Sequence, residues 1–117
     1  MHDDSEIDHE LPFMKLDVYR VAKQLSVLVN RADIRTANLR DQATRAANST
    51  FLNLAEGLPS DSKPKRRFHF NIANGSVHEM IAAVDLAAAI GAMNQPEAEL
   101  TISLGARVKR MLRALLR

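Results

Sequence analysis

Cysteine and tryptophan are absent from this 117-residue chain, and aromatic residues make up only 4% of it. The missing cysteine excludes disulfides, thiolate metal sites and cysteine nucleophiles. The scarcity of aromatics leaves a core of Leu, Val, Ile, Ala and a few Phe and Met, which suits closely packed helices better than a β-sandwich. No apolar run approaches the ~18 residues that a membrane-spanning helix needs. The opening MHDDSEIDHE is acidic where a secretory signal is basic and then apolar. The expectation is a cytoplasmic protein with no membrane partner.

Patterns that carry chemistry are scarce as well. The four glycines stand apart at 57, 75, 91 and 105, so there is no glycine-rich phosphate loop. His2 and His9 fall in the acidic opening. His69 and His78 are nine residues apart, about 900° around a helix, and so face opposite sides. The H-E-x-x-H metal motif is missing, because Met80 and Ile81 follow Glu79. Glu56 and Glu79 approach each other if their helices pack antiparallel, and a carboxylate pair can do acid–base work. Lacking a nucleophile or metal, the pair reads as structural, with Arg45 as the charge partner of one of them. The expectation is a protein without metal, cofactor or catalytic residues, and so not an enzyme.

What is present is one domain's length of chain, with 46% hydrophobic and 26% charged residues, the balance of an ordinary soluble globular protein. Its net charge of +2 conceals an asymmetry. Five of the fourteen acids (Asp3, Asp4, Glu6, Asp8 and Glu10) lie in the first ten residues, which contain no Lys or Arg; the remainder sets all 16 basic residues against the other nine acids. A basic body behind an acidic lead-in points to a polyanionic partner. The cations cluster at Lys63, Lys65, Arg66 and Arg67, and again at Arg107, Lys109, Arg110 and Arg113.

Hydrophobic periodicity predicts four helices. Val18, Val21, Leu25, Leu28 and Ala32 recur at spacings of three and four, giving a helix over 13–31 that Pro12 opens. A second helix follows Thr36 as its cap and stops at Gly57, with Leu39, Ala43, Ala46, Ala47, Phe51, Leu54 and Leu58 as its apolar set. The third spans 63–92 with Pro64 in its first turn and a seam of Phe70, Ala73, Val77, Met80, Val84, Ala87 and Gly91; the period runs unbroken through Asn74-Gly75. Pro96 opens the fourth, whose seam is Leu100, Leu104, Val108, Met111 and Leu115. Short connections then predict an all-α fold: an antiparallel up-down-up-down four-helix bundle over 12–117, behind an acidic, disordered extension over 1–11. The second half of the third helix, MIAAVDLAAAIGAM, is apolar nearly all round. Leu86 and Ile90 point away from its seam, with Gly75, Ala82 and Ala89 beside them, and a helix apolar on every side is buried on every side. That extra face predicts a subunit interface and a homo-oligomer.

The second helix carries a further pattern. Gln42, Arg45, Ser49, Asn53 and Glu56 fall within an arc of about 80°, away from the apolar set. Solvated faces favour Lys and Glu pairs, whereas amides and a hydroxyl around one Arg and one Glu suit a fixed hydrogen-bond network with another helix or subunit. The run Q-x-x-R-A-A-x-S-x-x-x-N-x-A-E-G, from Gln42 to Gly57, resembles the hallmark of the four-helix-bundle intervening-sequence proteins, encoded within insertions in bacterial large-subunit ribosomal RNA genes. A second hallmark, F-x-x-A-x-G-S-x-x-E, is carried by Phe70, Ala73, Gly75, Ser76 and Glu79, and the opening L-D-V-Y-x-x-A by Leu16 to Ala22. The likeness covers about residues 13 to 116.

The resemblance implies an up-down bundle that assembles into a ring-shaped homopentamer. The same superfamily holds the accessory variability proteins of diversity-generating retroelements, basic pentamers that bind nucleic acid and associate with a reverse transcriptase. The family name records a genomic location rather than an activity. Two functions follow as expectations. One is a nucleic-acid-binding scaffold that contacts phosphates through the two cation clusters, which are expected at opposite ends of the rod and so on two rims of a ring. The other is an adaptor that holds a partner protein, such as a reverse transcriptase, without touching nucleic acid. Gln42, Arg45, Ser49, Asn53, Glu56, Glu79, Leu86 and Ile90 are the expected interface or polar network.

Overall fold

The computed structural model describes residues 10–117, which form a 3₁₀ turn at Pro12–Lys15 and four helices: α1, Asp17–Arg31; α2, Ala37–Gly57; α3, Lys63–Ala89; and α4, Gln95–Leu115. There is no strand among the described residues. The expected extension over 1–11 lies outside them except for Glu10 and Leu11.

Local chemistry explains the boundaries. Pro12 opens a separate 3₁₀ turn rather than the first helix, because Leu16 adopts an extended conformation (φ −74°, ψ 140°) and restarts the chain at Asp17. Thr36 caps α2 by position, with no side-chain bond to the backbone. Ser62 does cap α3, its hydroxyl accepting from the Lys65 amide at 3.3 Å, and Pro64 sits in the first turn, where no amide is missed. α3 stops short of the expected residue 92, at Ala89, because Gly91 takes φ +79°, a left-handed conformation that ends the helix. Asn74 and Gly75 stay helical.

One core runs through all four helices. α1 buries Val18, Tyr19, Val21, Ala22, Leu25 and Val29; α2 buries Ala43, Ala46, Ala47, Thr50 and Leu54; and α3 buries Phe70, Ala73, Val77, Met80, Val84 and Ala87. The seam of α4 differs from expectation. Its buried line is Ala98, Thr101, Gly105, Val108 and Leu112, while Leu100 is 60% exposed and Leu104, Met111 and Leu115 lie at the margin. Small residues decide this rotation of the helix. A Cβ on Gly105 would stand 2.7 Å from Met80 Cε, so α4 packs against α3 at a separation that a leucine face does not permit.

Contacts pair each helix with its chain neighbours and pair α1 with α4. Along α2 and α3 they run in opposite senses: Ser49 meets Ser76, Asn53 meets His69, and Gly57 meets Phe70. The same holds for α3 and α4, where Met80 meets Gly105, Asn74 meets Lys109, and Arg67 meets Leu116. At one end the α1–α2 and α3–α4 connections are tied together: the Arg35 amide donates to the Ala92 carbonyl at 2.8 Å, and the Asp33 amide to Glu97 Oε1 at 3.2 Å. The α2–α3 connection and the end of α4 share the other.

Gly57 is the last residue of α2 rather than the residue past its end. What it supplies is room: a Cβ there would lie 2.7 Å from Phe70 Cε1 and 3.2 Å from His69 Cβ.

Candidate nucleic-acid interface

The two cation clusters meet. Arg67 Nη1 donates to the Leu116 carbonyl at 2.9 Å, which places the start of α3 beside the end of α4. The expectation of two opposite rims is overturned, because antiparallel neighbours bring the first turn of one helix to the last turn of the next. Between them lies a cavity of about 230 Å³ lined by Lys63, Arg66, Arg67, Phe70, Leu115 and Arg117. No carboxylate side chain lines it. Arg113 and Arg110 are exposed on the last turns of α4, where they stand about 60° apart around the helix and so share one flank.

The expected phosphate contacts do not stand alike. Arg66 is half-buried and committed to the fold: Nη1 donates to the Leu58 carbonyl at 2.7 Å and reaches those of Gly57 and Ser60 at 3.4 Å, and its guanidinium lies 5.1 Å from the Phe70 ring centre. It closes the end of α2, whose last carbonyls have no helical partner. Lys109 is also half-buried, its Nζ donating to Asn74 Oδ1 at 3.1 Å across the α3–α4 seam. Lys63, Lys65, Arg67, Arg107, Arg110 and Arg113 are exposed, although Arg67 spends one donor on Leu116. Arg117 belongs with them; it ends the basic run in the sequence, but only packing sets it beside Lys63.

The polar stripe of α2 divides. Its middle forms a network with α3: Ser49 Oγ lies 2.8 Å from Ser76 Oγ, Asn53 Oδ1 lies 3.0 Å from His69 Nδ1, and Asn53 Nδ2 donates to the Ser49 carbonyl at 2.9 Å. His69 thus has a structural place that its isolation in the sequence did not reveal. A second network joins α1 to α2, where Ser26 Oγ and Asn30 Nδ2 both donate to Asn48 Oδ1, at 2.7 and 2.8 Å. The ends of the stripe, Gln42, Arg45 and Glu56, are exposed, as is Glu79. The expected pairing of Arg45 with a glutamate is not made; its Nε donates to the Asp41 carbonyl at 3.4 Å. Nor do the two glutamates meet. The α2–α3 register sets Glu56 opposite residue 68 and Glu79 opposite Arg45, about 16 Å apart along the axis.

Beside these charges, which have no ion-pair partner among the described residues, runs a second apolar seam of α3. Phe68, Ile72, Gly75, Ala82, Leu86 and Ile90 are exposed, with Phe68 at 62%, Leu86 at 51% and Ile90 at 58%. Leu86 and Ile90 were expected to face away from the core, and they do. Phe68 and Ile72 extend their line at the same three-and-four spacing, a signal already present in the sequence but masked by the adjacent basic run. Leu52 of α2 is exposed on the same side as Arg45 and Glu56. Among the described residues, no group of His, Asp or Glu is placed to hold a metal ion, and no helix is long and apolar enough to cross a membrane.

Comparison with known proteins adds two findings. A family model described as 23S rRNA-intervening sequence protein matches residues 14–114. The chain is also similar to a crystal structure of a protein of unknown function from the S23 ribosomal protein family of Bacteroides thetaiotaomicron, with a TM-score of 0.76 and 16% identity over 85% of this chain and 94% of that one. At that identity the likeness concerns the fold. No curated protein matches the chain.

Proposed function

The chain belongs to the 23S rRNA-intervening sequence protein family, and from that premise we propose that it is a non-enzymatic, oligomeric scaffold that binds nucleic-acid backbone at one basic end of an up-down-up-down four-helix bundle. The observation that carries this reading is the convergence of Lys63, Arg67 and Arg117 on one cavity lined by no carboxylate side chain, flanked by Arg110 and Arg113. Cations held this close repel one another, and a phosphate brought among them relieves that repulsion while releasing the counterions of both partners. Phosphate contacts position a nucleic acid without reading its sequence. Tyr19 is buried and Phe68 meets only the half-buried His69 ring, edge-on at 5.2 Å, so among the described residues no platform of exposed aromatic faces accompanies the cations. Binding is weakly selective for sequence.

Self-association belongs to the same proposal. The second α3 seam exposes Phe68, Leu86 and Ile90 beside the exposed Arg45, Glu56 and Glu79, which make no ion pair among the described residues. A second copy covers the apolar groups and supplies partners for the charges, and a closed ring of such contacts repeats the basic end around its axis. Five copies is the number that the family resemblance implies.

Anisotropy of a labelled oligonucleotide against salt tests the binding. The logarithm of affinity falls linearly with the logarithm of salt, and Lys63→Glu with Arg117→Glu makes the slope shallower by about one for each phosphate no longer neutralised. A flat salt response overturns it, and a partner-protein complex that survives nuclease points to the adaptor instead. Light scattering tests the assembly: Leu86→Glu with Ile90→Glu gives a folded species of lower mass, and a parent chain that is monomeric when dilute overturns the scaffold.

A further inference from the structure

Nothing inside one copy of the bundle requires Gly75. It lies in the interior of α3 without a positive φ, and a Cβ added there meets nothing within 4 Å. A glycine in a helix interior weakens the helix, and no close contact within the bundle offsets that. The residue stands on the outer seam of α3, between the exposed Ile72 and Ala82. Bare backbone on an exposed apolar seam lets another helix come close. The seam is also acidic: Glu79 lies in it, Asp85 beside it, and α3 has no Lys or Arg after Arg67. Arg45 flanks it from α2, held to the Asp41 carbonyl.

A face of the opposite sign lies on α1. Arg20, Lys23, Gln24, Val27, Leu28 and Arg31 line an open groove of about 570 Å³. Val27 is 41% exposed on its floor, cations edge it, and no acid occurs from Val18 to Ala32. Arg20 is paired with Glu10 at 3.0 Å, whereas Lys23 and Arg31, like Glu79 and Asp85, make no ion pair among the described residues. α1 and α3 each pack on α2 and α4, so they stand diagonally across the bundle with these two faces turned outwards on opposite sides.

The two faces also match in height. Ser26 bonds to Asn48, and Ser49 to Ser76, which relates α1 to α3 through α2. At equal rise along each helix, Gln24 stands level with Gly75 and Leu28 with Glu79, and Asp85 lies within one turn of the level of Arg31. Val27 is therefore at a height between Gly75 and Ala82, and Glu79 at one between Lys23 and Arg31.

We propose that the outer seam of α3 in one copy packs into the α1 groove of the next, with Val27 entering beside Gly75, and with Glu79 and Asp85 meeting Lys23 and Arg31. This rests on the self-association proposed above and names the two surfaces that make it. In a closed ring whose axis runs along the rods, neighbours have no offset along that axis, so groups at one height meet. The contact is head-to-tail, because pairing α3 with α3, or α1 with α1, sets like charges together. Each copy offers one face of each kind, so the contact repeats from copy to copy.

Charge reversal tests the pairing. Light scattering at low salt, at the lowest concentration where the parent stays assembled, compares the full-length parent with Lys23→Glu, Arg31→Glu, with Glu79→Lys, Asp85→Lys, and with the chain carrying all of these substitutions. Either pair alone is expected to lower the mass by half or more with parental helix content by circular dichroism. The combined chain is expected to regain the parent's mass, since its charges are exchanged across the same contact. Gly75→Leu, which meets no obstacle within one copy, is expected to lower the mass as well. An assembled parent whose mass the α1 pair leaves unchanged overturns this pairing and leaves the oligomeric scaffold standing. So does a combined chain that stays dissociated, or a Gly75→Leu chain of parental mass. A parent that is monomeric under the same conditions overturns the pairing and the scaffold together.

Discussion

Replacing Gly57 with alanine tests whether close approach, rather than helix termination, explains this glycine. Within a helix, glycine to alanine is worth up to about 1 kcal/mol of stabilisation, and Gly57 is helical with a negative φ. Conformation alone therefore predicts a more stable protein. Against this, the new Cβ meets the Phe70 ring at 2.7 and 3.1 Å and His69 Cβ at 3.2 Å. The ring is rigid and buried, with the Arg66 guanidinium over it, and His69 Cβ moves only with the backbone. Overpacking of this kind costs about 1–3 kcal/mol, so after the helical gain the expected net loss is up to about 2 kcal/mol. For a domain of this size that corresponds to a fall of up to roughly 8 °C in Tm. Gly105→Ala is the internal comparison. Its Cβ also meets an atom at 2.7 Å, but that atom is Met80 Cε, the free end of a flexible side chain, with Ile81 Cγ1 at 3.0 Å. A methionine can swing away where a phenyl ring cannot, so this variant is expected within about 1 kcal/mol of the parent. Urea unfolding at one fixed protein concentration measures both. If Gly57→Ala proves the more stable of the two, or exceeds the parent, the packing account of Gly57 is wrong.

Two further perturbations separate structural roles from surface ones. Arg66→Ala strips the Leu58 carbonyl of its donor and the Phe70 ring of its cation, and is expected to lower stability by about 1–2 kcal/mol, whereas Lys65→Ala, one position away and exposed, stays within about 0.5 kcal/mol; the shift in urea midpoint decides. Asn53→Ala leaves His69 and Ser49 without their shared partner and is expected to cost about 1–3 kcal/mol. Thr50→Val removes a buried hydroxyl that bonds only to the Ala46 carbonyl one turn back, and stays within about 1 kcal/mol of the parent in the same titration.

Much of the site can be traced to particular residues in the chain. The three-and-four spacing from Phe70 to Ala87 marks the buried face of α3, and Leu86 and Ile90 mark the opposite one. Ser49 and Asn53, which the sequence places in a hydrogen-bond network, find Ser76 and His69 on α3. Two expectations fail for physical reasons. Side-chain size alone assigns the α4 seam to its leucines, but small residues set how closely helices approach, so Ala98, Thr101 and Gly105 face inward and Leu100 does not. The charge of Arg66 suggests a phosphate contact, but its geometry shows three carbonyls of the α2 terminus and an aromatic ring within reach.

The sequence by itself determined four helices, their approximate ends, the absence of cysteine chemistry, and an excess of apolar surface on α3, because periodicity, caps and composition act over a few residues. Which face of α4 is buried, which arginines are consumed in closing helix ends, and the meeting of Lys63 with Arg117 were decided only by tertiary structure. Those properties depend on distances between residues remote in the chain, and only packing against a particular neighbour sets such distances.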